Sequence, residues 1–599
     1  MSMEDLKRPL VKKMSSYDRY PKTRVDYDGE AAYKGYAEIA GILGARSRSL
    51  LDMKERVVIA IDCYPGLNYE ELERELIQRL DPSLAIFTDE EIFQSEESIT
   101  SRIFGRITDD RVFGQMCLET YEDLIDEEKL RSAAKLAGTT KGLVIVYGAA
   151  ANIPVKPDIY VYADLARWEI QGRLRRNEIG CWKSSIWFDD ILQKYKWGYF
   201  FEWRVADRHK KRHFDDFDFV LDTNKKGSPV MITGDAFRYG LSQLASRPFR
   251  LVPFFDPGVW GGQWMKKVCG LDEGEPNYAW CFDCVPEENS ILLDFGGTLT
   301  ELPAMDLVLY EPRRLLGERV VARFGAEFPI RFDFLDTMDG QNLSLQVHPT
   351  VEYIQEKFGM HYTQEESYYI LDANEDRDPL VYLGLKTGTW KEEFFRELEK
   401  AQEANVNFMA ERFANTIKVR KHDHLLIPPG TVHCSGRDTM VLEISSTPFI
   451  FTFKLWDWGR LGTDGKPRPI NISHGREVVK IERDTEWVEK NLINRITVLR
   501  EEEGWRSERT GLHELQFIET ARDWFNRPVT HNTEGSVNVL NLVEGEEAIV
   551  ESPSGSFEPL VVHYAETFVI PEAAGEYIIR PHGASVGKEI ATIKARVRI

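Results

Sequence analysis

Asn342-Leu343-Ser344-Leu345-Gln346-Val347-His348-Pro349 is the stretch on which the reading of the whole chain turns. Leu343, Leu345 and Val347 alternate with Ser344, Gln346 and His348. Period-two alternation gives a β-strand with one apolar and one polar face. Residues two apart on a strand project to the same side, so the Gln346 amide and the His348 imidazole stand together. Both groups ligate divalent metals. Downstream, Gln364-Glu365-Glu366-Ser367-Tyr368-Tyr369-Ile370-Leu371 reads as a second strand, which Glu366 enters with a carboxylate. Further on, His424-Leu425-Leu426-Ile427-Pro428-Pro429-Gly430-Thr431-Val432-His433 runs an apolar strand into a Pro-Pro-Gly turn. Proline sets φ and glycine accepts unusual φ/ψ, so the turn is sharp and swings His433 back over the same cavity. Gln346, His348, Glu366 and His433 form a mixed N/O set suited to one zinc ion per chain, with room left for water or substrate.

A single histidine on a strand is more often a structural residue than a ligand, so the argument rests on the joint pattern. A polar x-His strand followed by Pro-x-Gly-x-x-His is the two-part signature of a cupin barrel. The region from about Arg247 to the C-terminus resembles a type I mannose-6-phosphate isomerase. The resemblance is carried by Leu251-Val252-Pro253, Val259-Trp260-Gly261-Gly262, Leu343 to Pro349, Tyr382-Leu383-Gly384, Ile427 to His433 and Trp456-Asp457-Trp458-Gly459-Arg460. These occur in the family's order and at its approximate spacing. The resemblance implies that Gln346, His348, Glu366 and His433 are the zinc ligands. It also implies interconversion of mannose 6-phosphate and fructose 6-phosphate.

The chain departs from that family around the substrate. Gln364 stands where the family has a Lys, and an amide neither carries charge nor shuttles protons. Lys454 replaces an Arg, keeping charge without the planar fork. Tyr278 replaces an acidic residue. The candidates for substrate contact and catalysis are Gln364, Lys454, His361 and Arg460, with Lys386 as a further cation. Two other readings accompany the isomerase: a cupin isomerase for another sugar or sugar phosphate, and a non-catalytic sugar-phosphate sensor.

The 599 residues are enough for several domains, and the net charge of −22 argues against general nucleic-acid binding. The chain has no apolar run of about eighteen residues, so no transmembrane helix is expected. Met1 to Lys13 is charged and lacks an apolar signal core, which implies a cytoplasmic enzyme. Seven cysteines do not suggest a disulfide scaffold, and the lone Cys281-x-x-Cys284 pair reads as structural.

Residues 1–50 read as an N-terminal arm, with a short helix from Glu30 to Leu43 stopped by Gly44. Residues 51–222 read as an α/β domain with a parallel sheet. Val57 to Ile61, Gly142 to Gly148 and Asp158 to Asp164 are buried strands alternating with helices. The layout resembles the uridine-kinase branch of P-loop kinases. Asn68 and Tyr69 stand where a phosphate-binding loop needs Lys and Ser/Thr, so the resemblance implies a degenerate kinase-like domain. Arg173, Arg175 and Arg176 read as a solvated helix face or an anion site. The run Arg208 to His213 reads as a salt-bridged surface. Residues 223–247 read as a linker. Residues 248–530 read as a metal-binding jelly-roll (cupin) barrel with a helical insert at about 389–415. Residues 531–599 read as a second cupin barrel without metal, because His563 and His582 lack paired ligand spacing.

Overall fold

The computed structural model describes residues 15–598 except 187, 405, 447–450, 463, 464, 466, 467 and 469. The expected strand Phe449 to Leu455 begins outside these residues, and Phe453–Trp456 is its described part. The chain forms an N-terminal α/β module followed by sheet-rich structure.

The N-terminal sheet has five parallel strands: β1 Arg56–Cys63, β2 Leu84–Phe87, β3 Gly142–Gly148, β4 Ile159–Asp164 and β5 Phe219–Asp222. Their order in the sheet is β2-β3-β1-β4-β5. Val57 to Ile61 and Val144 to Val146 are almost wholly buried, as expected for strands covered on both faces.

Several boundaries differ from expectation. The helix at the start of the chain runs Gly35–Leu51, straight through Gly44, because Leu43 and Ser47 are buried and packing outweighs the glycine. The supposed linker is part of the sheet. Val230–Thr233 pairs antiparallel with β5, and the Gly234–Leu244 helix packs behind it. Glycine and proline punctuation there marks turns inside the domain. The Arg208 to His213 run lies on the Trp203–His213 helix, where His209 and Lys210 are buried.

Among the described strands of the rest of the chain are two matching sets of eight, flanked by further short strands. The first is β6 Arg331–Asp336, β7 Leu345–Val347, β8 Glu365–Ala373, β9 Leu380–Leu385, β10 Ala414–Lys418, β11 His424–Ile427, β12 His433–Ser435 and β13 Thr439–Ser446. They pair as β6-β13-β8-β11 and β10-β9-β12-β7 in two sheets. The Lys391–Ala404 helix is inserted between β9 and β10. The second set is β14 Ile518–Phe525, β15 Val529–Asn532, β16 Asn538–Glu544, β17 Glu547–Glu551, β18 Leu560–His563, β19 Thr567–Ile570, β20 Glu576–Pro581 and β21 Ile590–Val597. It pairs as β14-β21-β16-β19 and β18-β17-β20-β15, the same order with every strand advanced by eight. The second set thus begins before residue 531, because β14 pairs with the last strand of the chain.

The N-terminal module is fastened to the segments that follow it through polar and aromatic contacts, some buried and some exposed. Lys210 Nζ lies 2.7 Å from Asp306, Gln171 donates to Glu288 at 2.5 Å, and Arg175 forks onto Asp256 at 3.0 and 3.1 Å. Phe113 stacks on Phe451 with centroids 5.5 Å apart.

Candidate metal centre and substrate cavity

Strand β7 carries Gln346 inward, and His348 follows at its end. Glu366 lies on β8 and His433 opens β12. Gln346 and His433 are register partners across the β7–β12 ladder. The turn between β11 and β12 sets His433. Gly430 has φ +89, and a Cβ there would lie 2.8 Å from both the Val478 carbonyl and Lys480 Cγ. Only glycine takes that conformation without strain. The Gly430 N–H donates to the His348 carbonyl at 2.9 Å, and Arg483 donates to the Pro428 carbonyl and to Thr431 Oγ1, both at 2.6 Å.

His348, Glu366 and His433 offer ligand atoms all within 4.8 Å of one another, and all three are buried. His348 Nε2 lies 2.8 Å from Glu366 Oε2, and His433 Nε2 lies 2.8 Å from Glu366 Oε1. Each imidazole uses Nδ1–H on a backbone carbonyl: His348 on Phe451 and His433 on Thr431, both at 2.9 Å. That assignment leaves both Nε2 lone pairs facing the shared point, the tautomer a metal ligand needs. Glu366 Oε1 is close to His433 yet makes no hydrogen bond of proper geometry. Such an atom fits a lone pair aimed at a common centre rather than at its neighbour. Gln346 Nε2 is 3.3 Å from His433 Nε2, and turning the amide over presents its oxygen to the same point. Burial alone would raise the Glu366 carboxyl, but His348 and His433 outweigh it and hold it well below the usual carboxylate range. The donor set therefore fits a divalent metal.

Above this cluster lies a cavity of about 350 Å³ with walls from both the N-terminal module and the strand set. Gln364 and Lys454 line it. Gln364 Nε2 donates to Glu366 at 3.0 Å and to Glu443 at 3.4 Å. Lys454 is the register partner of Gln346 across β7, and its ammonium has no hydrogen bond or ion pair among the described residues. Burial, with Arg468 nearby, pulls Lys454 down to about 7 against the attraction of Asp457.

The other candidates lie elsewhere. His361 is exposed and Lys386 bonds to the Glu411 carbonyl; neither lines the cavity. Arg460 is spent on Asp457 and on the Asn342 carbonyl at 2.7 Å. Sequence reasoning missed two carboxylates on the wall, Asp333 and Glu443, which are register partners on β6 and β13. Burial pushes the Asp333 carboxyl up to about 8, against Arg331, with Glu366 and Glu288 adding repulsion. Burial and the charge of Glu366 also push Glu443 well up. Asp333 shares the polar phase of β6 with Arg331, alternating with Phe332 and Phe334, and that alternation is the signal that could have found it. The wall supplied by Phe113, Gln171, Arg175, Tyr195 and Trp203 left no such signal.

The turn after β1, where a kinase would hold phosphate, is covered. A Cβ on Gly66 would lie 3.0 Å from Ile170, and Arg173 donates to the Gly66 carbonyl at 3.0 Å and the Thr223 carbonyl at 2.6 Å. Asn68 caps the following helix through the Glu71 N–H at 3.0 Å. Arg173 is thus a buried strut and not part of a solvated face, whereas Arg175, on Asp256, and Arg176, on Glu169 and Glu178, remain substantially exposed.

The chain is homologous over about 40% of its length to mannose-6-phosphate isomerases. It is 26% identical over 242 residues to mannose-6-phosphate isomerase ManA of Bacillus subtilis (strain 168), covering 40% of this chain and 70% of that protein. It is 27% identical over 226 residues to the mannose-6-phosphate isomerase of Streptococcus mutans, covering 37% of this chain and 65% of that protein. The crystal structure of the Bacillus subtilis mannose 6-phosphate isomerase aligns with 59% of this chain and 100% of its own, at 17% identity and a TM-score of 0.47. Residues 35–246 match a domain of unknown function (DUF8485). Among the described residues, no helix is long and apolar enough to cross a membrane.

Proposed function

We propose that the chain is a cytoplasmic, zinc-dependent aldose–ketose isomerase that interconverts mannose 6-phosphate and fructose 6-phosphate. The observation that carries this reading is the His348–Glu366–His433 cluster, with Gln346 beside it, at the foot of a cavity holding Lys454, which has no ion pair among the described residues. The homology to mannose-6-phosphate isomerases supports it. Gln346, His348, Glu366 and His433 hold the metal in this reading. A zinc ion there supplies a Lewis acid for the sugar oxygens at C1 and C2.

The chain's own residues do the rest. Isomerisation moves a proton between C1 and C2, which needs a base with a pKa near the working pH. Asp333 faces the cavity, and its Oδ1 has no partner among the described residues, so it takes that role in place of the family's Lys. Gln364 orients Glu366 and Glu443 by its two donations. Lys454 meets the anionic substrate. Phe113, Tyr195 and Trp203 close the far wall and keep bulk water from the reacting carbons.

In the same reading the two eight-stranded sets are cupin barrels, of which the first holds the metal. The N-terminal module is a kinase-like fold that has lost nucleotide chemistry. Its β2-β3-β1-β4-β5 order and the covered turn at Gly66 support this. Turnover assays on mannose 6-phosphate and a panel of other aldose phosphates, with wild type and Asp333→Asn, test the assignment. Asp333→Asn is expected to lower kcat by about 10²–10⁴-fold with metal retained. No turnover of any aldose phosphate by the zinc-loaded wild type would leave a binding protein instead.

A further inference from the structure

The second strand set contains a cavity of about 380 Å³, in the place that the metal-centre cavity has in the first. The correspondence can be followed rung by rung. In the first set Arg331 pairs with Ser445, Asp333 with Glu443, and Glu366 with Ser445. In the second, Glu519 pairs with Arg596, Ala521 with Lys594, and Asn538 with Arg596. Gln346 opposite His433 becomes His531 opposite Tyr577. Both cavities draw lining from corresponding strands, β6, β13 and β7 in one and β14, β21 and β15 in the other, and the second has a further wall from the paired strands Thr497–Glu502 and Trp505–Gly511.

The metal ligands have gone. Asn538 stands for Glu366 and Tyr577 for His433, and Tyr577 Oη donates to Asn538 Oδ1 at 2.9 Å. The polar cavity has stayed. One end of the barrel interior is packed with Phe525, Leu540, Leu542 and Ile590, all fully buried. The other end presents Asp523, Lys594 and His531. His531 is 7% exposed, and its buried Nε2 has no hydrogen-bond partner among the described residues. The Lys594 ammonium has no ion pair among the described residues, and burial lowers its pKa against Asp523 and Glu519. Asp523 accepts from Trp505 Nε1 at 3.0 Å, but His531 Nε2 and the Lys594 ammonium sit inside the barrel without such partners among the described residues, which costs free energy that apolar packing would not. The same barrel packs its other end with apolar residues, so this end is built for an occupant rather than for stability. A concave site with a few convergent polar groups is the usual form of a small-molecule site.

The wall chemistry selects the class. Four carboxylates and three cationic side chains line the cavity, so neither an anion nor a cation is favoured. Arg596 is already neutralised by Glu519 at 3.0 Å and by Glu534. A ligand that both donates and accepts at several points without net charge matches such a surface.

We propose that the second barrel binds a neutral, hexose-sized sugar in this cavity, at a non-catalytic site separate from the metal centre. Isothermal titration of the full chain with mannose, glucose and galactose, and with mannose 6-phosphate and inorganic phosphate as charged probes, tests it. At least one neutral hexose is expected to bind saturably at one site. Lys594→Met should weaken binding about tenfold or more, the scale of one buried polar contact, and Asn532→Ala, at the exposed rim of the cavity, about threefold. His433→Ala should leave it unchanged. Asn532 is exposed on β15, so Asn532→Ala remains informative if Lys594→Met does not fold. The proposal is overturned by absent binding of all three neutral sugars or by binding insensitive to Asn532→Ala. Binding lost in His433→Ala, or tighter binding of the charged probes at this site, also overturns it.

Discussion

Replacing Lys210 with methionine should be among the most damaging single changes in the N-terminal module. Lys210 is 2% exposed, on the Trp203–His213 helix. Its ammonium lies 2.5 Å from Asp164 at the end of β4 and 2.7 Å from Asp306, which belongs to the segment leading into the first strand set. Tyr64 and Tyr162 cover it, with ring centroids 4.7 and 5.2 Å away. Burial opposes the charge on Lys210, but Asp164 and Asp306 outweigh it and hold its pKa well up. One ammonium serves two carboxylates, and Asp306 is pushed well up by its own burial and by Asp164. Removing the lysine leaves both acids buried and unpaired, which costs about 3–5 kcal/mol. In a module of this size that is a fall in Tm on the order of 10 °C. Calorimetry of wild type, Lys210→Met and the triple variant Lys210→Met/Asp164→Asn/Asp306→Asn measures it. The triple variant should recover most of the loss, because it removes the stranded charges. A single variant that melts within about 2 °C of wild type, or a triple variant no better than the single, would refute the reasoning.

Three further outcomes are expected. Gln364→Lys places an ammonium between Glu366 and Glu443 and restores a proton carrier, so kcat/KM should rise about tenfold, roughly 1.4 kcal/mol, with zinc content unchanged; a fall in kcat/KM with zinc retained contradicts this. His424 is fully buried, and burial pulls its pKa down to about 3, so the unfolded chain binds a proton that the folded chain refuses as pH falls below about 6.5. Urea midpoints at pH 7 and pH 5 should show wild type losing roughly 2 kcal/mol more than His424→Leu, and equal losses would count against it. Calorimetry with Mg-ATP should give no binding to the N-terminal module, because Ile170 and Arg173 cover the turn at Gly66; micromolar binding abolished by a substitution at Asn68 would show otherwise.

The quartet Gln346, His348, Glu366 and His433 was legible because each part has a local cause. Strand alternation sets the side on which Gln346 and His348 project, and a Pro-Pro-Gly turn returns His433. The parallel strands were legible from continuous apolar runs. What escaped depended on partners far away in the chain. Lys210 sits in a basic run that reads as surface, and Asp164 and Asp306, both distant in sequence, make it core. Asp333 alternates with Phe332 and Phe334 on β6, so its side of the strand was legible, but its role follows from Glu443 on the neighbouring strand. Residues 223–247 carry linker punctuation, but pairing of Val230–Thr233 with β5 is a tertiary fact. His361 is near Gln364 in sequence, yet it is exposed while Gln364 is buried.

The central claim is tested most directly by metal analysis of purified wild type and His433→Ala, run beside turnover of mannose 6-phosphate. The account predicts one zinc ion per wild-type chain. It also predicts loss of both metal and turnover in His433→Ala, with the circular-dichroism spectrum unchanged. Equal zinc in the two proteins, or undiminished turnover in the variant, would contradict it.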